Sequence, residues 1–169
     1  RASKGTKTGG YDDLVDDQAV VSWQLGRPAR PFRVAVRCVH GFPAVTEQPA
    51  VGPDGAPFPT TYYLTCPWLV SALARSEAAG GVKRWSEAAA SDSQLGASLD
   101  RANAEQRKMR PEIDAGIAGT TNGALKCLHA HAAFALARPG YELGQQIVEE
   151  VGERWCPDAR CASASEVAG

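Results

Sequence analysis

The chain has 169 residues, of which 44% are apolar and 22% charged, values that fit one ordinary globular domain and exclude a fibrous or wholly disordered chain. Eighteen Lys and Arg against 19 Asp and Glu leave a formal charge of −1, which excludes a global field for nucleic acid or anionic lipid. No apolar run approaches the roughly 20 residues that span a bilayer. The first ten residues, RASKGTKTGG, have no apolar stretch of the signal-peptide kind. The expectation is a soluble cytoplasmic protein with no membrane partner and no nucleic-acid partner, while an unknown protein partner stays open. The chain opens on Arg1 rather than Met, which leaves room for residues upstream.

Residues 1–10 and the terminal CASASEVAG are small and polar, so neither end repays its ordering entropy. The domain expectation is a flexible tail over 1–10, a globular body over 11–155 and a Cys-containing tail over 156–169. Asp12 and Asp13 suit a helix N-terminus, and Leu14, Val21 and Leu25 recur at helical spacing until Gly26 and Pro28, which predicts a helix over 12–25. RVAVR alternates from Arg33 to Arg37, the period-two pattern of a half-buried strand that delivers Cys38. β-prone stretches at 44–47 and 60–65 flank the turn Pro53-Asp54-Gly55 and read as a hairpin with a long, Pro-rich connection.

After Cys66, Pro67 suits a first helical position and Gly80-Gly81 a stop, so Cys66 sits at or beside a helix N-cap. A short helix over 82–90 precedes a longer, surface-lying one that starts near residues 91–93 and carries Leu95, Leu99, Ala102, Gln106 and Met109 on one stripe. GIAGTTNG at 116–123 reads as a loop. ALKCLHAHAAFALA is apolar nearly all round and predicts the most buried helix, before a last one over 141–153. The fold class is α+β: a small, mainly antiparallel sheet packed against about five helices in a single domain.

The chemistry concentrates in five Cys and three His. Each His lies two or four residues from a Cys, in Cys38-Val39-His40 and Cys127-Leu128-His129-Ala130-His131. On a continuous helix Cys127 and His131 are i,i+4 and share a face, whereas His129 lies about 200° round. Cys38, Cys66, Cys127 and His131 then form a candidate set of three thiolates and one imidazole for zinc, or three thiolates for an iron–sulfur cluster. Cys66-Pro67 and Cys156-Pro157 resemble the Cys-Pro step of some iron–sulfur ligand runs. Arg37, Lys126 and Arg138 are candidates for an anion pocket beside this group. Cys156 and Cys161, four residues apart, suit a disulfide in an oxidising compartment or a second metal half-site.

Two other readings compete. In one the protein is a metal-free interaction module whose cysteines fill the core, as free Cys often does, and whose exposed helix meets a partner. In the other it is a thiol enzyme with Cys66 as nucleophile, its pKa lowered by the helix N-terminus, and His129, His131 or His40 as base. Whether the chain is an enzyme stays undecided at this level.

RCVHGFPAV (37–45), DGAPFPTTYYLTCPWLVSALARSEAAGGVKRW (54–85) and LKCLHAHAAFALA (125–137) together resemble the domain-of-unknown-function 501 family, bacterial proteins common in actinobacteria. The resemblance runs from about Gln24 to Val151. The family's motif residues fall on Cys38, Gly41, Pro43, Phe58, Pro59, Thr60, Leu64, Thr65, Cys66, Pro67, Lys126, Cys127, Leu128, His129 and His131. The resemblance implies that these belong together, and it brings no established activity. Family members often have a proline-containing step after the first cysteine where this chain has Val39-His40, which makes His40 the weakest candidate ligand. Cys156 and Cys161 lie outside the resemblance.

Overall fold

The computed structural model describes residues 16–167, so the tail expected over 1–10 and the first residues of the expected helix over 12–25 lie outside it. Helix α1 spans Asp17–Leu25. The Asp16 carboxylate caps it by accepting the Gln18 N–H, and Gly26 ends it at φ 68°. Strand β1, Arg33–Arg37, shows the expected alternation of exposed and half-buried residues. A tight turn follows, with Cys38 N–H donating to Phe42 O and Gly41 N–H to Cys38 O, both at 2.9 Å. It leads into β2, Pro43–Glu47, which is buried from Pro43 to Thr46 because it is the central strand. Strand β3, Tyr62–Leu64, completes an antiparallel sheet of order β1-β2-β3, with Val45 opposite Leu64 and Thr46 opposite Tyr63.

The Pro-rich connection between β2 and β3 makes one isolated bridge, Val51 to Pro57. Polar groups on the later helices tie it down. Arg110, 5% exposed, donates to Phe58 O at 3.1 Å and also to Gln48 O, and Gln106 Nε2 donates to Thr61 Oγ1 at 2.6 Å. The two Arg110 bonds satisfy loop carbonyls that burial would otherwise orphan, and the Gln106 bond holds a buried loop hydroxyl.

Helix α2, Pro67–Ala78, starts at the Cys66 N-cap with Pro67 in the first turn, as the sequence predicts. Helices α3, Gly81–Ser91, and α4, Ser93–Met109, meet at Asp92, whose carboxylate accepts the Gln94 and Leu95 N–H groups. The predicted stripe on α4 faces inward: Leu95, Leu99, Ala102 and Gln106 are buried, joined by Ser98 and Asn103. Asn103 Oδ1 accepts Ile117 N–H at 2.9 Å, and a Cβ on Gly116 would lie 2.5 Å from that oxygen, so the loop at 116–123 requires glycine there.

Helix α5, Leu128–Ala137, is the central core helix and packs against β3 and against α6, Glu142–Glu150. Leu128, Ala132 and Ala133 are fully buried, and the Phe134 ring meets Tyr62 and Tyr141 edge-on at 5.7 and 5.9 Å. α5 begins at Leu128 because Cys127 is extended (φ −149°, ψ 119°), several residues later than the apolar run from Ala124 suggests. The α+β expectation is borne out as a three-stranded antiparallel sheet with helices packed on it.

The segment from Cys156, read in the sequence as a polar tail, is folded against the body. Its short helix α7, Ser163–Val167, packs on α1, and Cys156, Cys161 and Ala164 are buried. Its apolar residues are too few and too irregularly spaced to give a periodic signal. Among the described residues, no helix is long and apolar enough to cross a membrane.

Candidate functional site

The N-terminus of α5 supplies two side chains and α2 a third. Cys127, the N-cap, turns its side chain along the chain, and its Sγ lies 3.9 Å from His129 Nδ1. Glu77, in the last turn of α2, comes from the other side. Its Oε1 accepts the Leu128 N–H at 2.7 Å and lies 3.1 Å from His129 Nδ1. A carboxylate is therefore held at the positive end of α5, where the helix dipole favours it. His129 Nε2 lies 3.0 Å from Val70 O.

Both His129 nitrogens face oxygen atoms that only accept, which suits the doubly protonated ring. The His129 pKa is raised to about 9, first by the Cys127 side chain, then by the Val70 carbonyl and the Glu77 carboxylate, against the opposing effect of burial. The ligand atoms of Glu77, Cys127 and His129 all lie within 4.8 Å of one another, and among the described residues no other such group forms. Cys127 and His129 also line a cavity of about 420 Å³ walled by Thr60, Tyr62, Tyr63, Leu64, Val70, Ala118 and Ala130. It is the size of a small-molecule site with one polar corner.

His131 goes elsewhere. It is fully buried, its Nδ1 is 2.7 Å from the Tyr141 hydroxyl, and its Nε2 has no hydrogen-bond partner among the described residues. Burial lowers its pKa to about 4, so it is a neutral core histidine. The candidate set Cys38, Cys66, Cys127 and His131 is therefore not assembled. The i,i+4 argument presumed that Cys127 lies inside the helix. As an extended N-cap it points its thiol toward His129 while His131 points into the core.

Cys38 and Cys66 instead meet the C-terminal segment. Cys38 packs both on the main core, which includes Cys66, and on a small cluster of Val20, Phe42, Cys161 and Ala164. The Cys66 side chain makes no capping hydrogen bond at the start of α2, and burial pushes its pKa up. The nearby Cys161 and Cys38 act in the same direction. Cys66 is 5% exposed, and its predicted activation by the helix N-terminus gives way to burial. His129 engages Cys127 instead of serving Cys66 as a base.

Arg37 holds Asp17 in a bidentate pair at 2.9 and 2.7 Å and donates to Gly41 O, Arg138 pairs with Glu105, and Lys126 is exposed. The anion pocket thus has two of its three cations committed to carboxylates. Glu77 is the residue that sequence reasoning missed. The available signal was an acid in the last turn of a helix, where the dipole disfavours it, which asks for a compensating partner.

Fold and site together define an α+β domain with a thiol, an imidazole and a carboxylate grouped at the edge of a cavity. Residues 34–115 match the family described as Protein of unknown function (DUF501), which supports the resemblance carried by its motifs. The match covers β1 to the loop after α4 and includes Glu77, Cys38 and Cys66, while Cys127 and His129 lie beyond it. No curated protein and no solved structure matches the chain.

Proposed function

We propose that the protein binds one divalent transition-metal ion, zinc by its donor set, through Glu77, Cys127 and His129 at the edge of the cavity. The observation that supports this reading is the mutual approach of a carboxylate oxygen, a thiol sulfur and an imidazole nitrogen within 4.8 Å. Sulfur, nitrogen and oxygen are the donors zinc takes, and three protein ligands leave its fourth tetrahedral position for water or substrate. His129 would bind through Nδ1, with Nε2–H held by the Val70 carbonyl, the outer hydrogen bond that fixes ring and tautomer in metal-binding histidines. The adjoining cavity gives the open position a place for a small substrate, and a metal-bound water is the nucleophile such a centre supplies.

Equilibrium dialysis of the full chain against zinc tests this, read by elemental analysis. One equivalent is expected. Its affinity should fall in Cys127→Ser and His129→Ala by more than the roughly 10–100-fold that loss of an outer-shell partner brings. Zinc binding unchanged in both variants would overturn the reading. The 3.9 Å contact of Cys127 with His129 favours a second reading, a metal-free thiol nucleophile paired with imidazole. It requires Cys127 to alkylate faster than the other four thiols in metal-free protein, and His129→Ala to abolish the difference.

A further inference from the structure

Four of the five cysteines stand apart from that site and near one another. Cys38 follows β1, Cys66 caps α2, and Cys156 and Cys161 come from the C-terminal segment. All are free thiols, and Cys66, Cys156 and Cys161 are 5%, 7% and 5% exposed. A set of specific bonds brings the three segments together. His40 Nε2 lies 2.7 Å from Cys156 O, and Trp68 Nε1 donates to Glu153 O at 2.7 Å. The Arg160 guanidinium stacks 4.9 Å over the Trp68 ring, and Gln24 Nε2 bridges Pro43 O at 2.7 Å and the Cys161 sulfur at 3.3 Å. Cys66 lies within electrostatic reach of Cys38 and Cys161, and Cys161 within reach of Cys38 and Cys156.

One N–H group is aimed at these sulfurs, the Gln24 amide at Cys161. Such a donor suits anionic sulfur, and hydrogen bonds to cysteine sulfur are among the features that tune iron–sulfur clusters. Cys66 and Cys156 each precede proline, as in one class of cluster ligand run.

Spacing decides which metal centre fits. Four thiolates on one tetrahedral zinc, at metal–sulfur bonds of about 2.3 Å, sit about 3.8 Å apart. No three of these four sulfurs lie within 4.8 Å of one another, which is wider than a single ion allows. A cluster of several irons, each bound to its own thiolate, seats its ligands farther apart.

We propose that Cys38, Cys66, Cys156 and Cys161 are the four thiolate ligands of one iron–sulfur cluster, separate from the Glu77, Cys127 and His129 site. The cluster would lock the C-terminal segment to the turn after β1 and to the start of α2. Cys38, the half-buried member, places one side of it near solvent.

The test is iron and acid-labile sulfide analysis of the full chain purified without oxygen, repeated after anaerobic reconstitution with ferrous iron and sulfide. Iron and sulfide in equal amounts, about four of each per chain, with a broad visible charge-transfer band, are expected. Cys156→Ser and Cys66→Ser should lose most of both, whereas Cys127→Ser should keep them. Cys156 lies in the C-terminal segment, outside the main core, so a Cys156→Ser chain with unchanged far-ultraviolet circular dichroism separates loss of a ligand from loss of the fold. Reconstituted wild-type protein without sulfide-bound iron would overturn the proposal without any variant. Zinc in place of iron, lost from Cys156→Ser, would overturn the cluster, and a cluster lost only from Cys127→Ser would overturn the ligand set.

Discussion

The two histidines of α5 are two residues apart and live in opposite surroundings. His129 stands at the helix entrance beside Cys127, Glu77 and the Val70 carbonyl, on a cavity wall, and its pKa is raised to about 9. His131 is sealed in the core with the Tyr141 hydroxyl as its one hydrogen-bond partner among the described residues, and its pKa is lowered to about 4. The same side chain is a proton-holding group on one face and an uncharged packing group on the other. Charge and hydrogen-bond acceptors decide the first case and desolvation the second. Any chemistry at the start of α5 therefore belongs to the outer face.

The strongest way to break this division is to undermine the core side. Leu128 is fully buried between the two faces, and Leu128→Ala should cost about 2–5 kcal/mol in urea denaturation. Its thermal transition should fall while Cys127 and His129, one residue to either side, remain chemically intact.

Acid attacks the same side through His131. An unfolded histidine takes up a proton near pH 6.5, and the folded one resists until about 4, so the unfolded state binds more protons in between. The stability due to neutral His131 is full above pH 6.5 and is lost as pH falls toward 4, by about 3 kcal/mol in total. Denaturation curves at pH 7.5, 5.5 and 4 check this, and His131→Phe should flatten that part of the profile.

Tyr141→Phe removes the one partner of His131 Nδ1 and should cost about 1–3 kcal/mol, the range for stranding a buried polar group. Its effect on zinc binding should be nil if the two faces are independent.

The smallest expected effect on stability sharpens the outer face. Glu77→Gln keeps an oxygen for the Leu128 N–H and removes the charge beside His129, so it should cost under about 1 kcal/mol. In metal-free protein the His129 imidazole resonances should titrate well above those of a free histidine and shift downward in pH in this variant. An unmoved His129 titration would show that Glu77 does not act on it.

The sequence determined the elements whose signals are local. RVAVR alternates and is a half-buried strand, Pro67 opens α2 after Cys66, and the apolar run through Phe134 is the core helix. In each case the deciding residues lie within a turn or a pleat of one another, so periodicity and capping chemistry suffice. It also marked Cys127, His129 and Cys66 as the residues to watch. Tertiary structure alone decided their partners. Glu77 reaches His129 across 52 positions, and the segment around Cys156 reaches His40 across 116. The start of α5 at Leu128 was decided the same way, by a carboxylate of another helix that receives its first N–H. One residue of difference at that N-cap turns Cys127 from a partner of His131 into a partner of His129. Side-chain direction depends on backbone dihedrals that spacing along a chain does not contain.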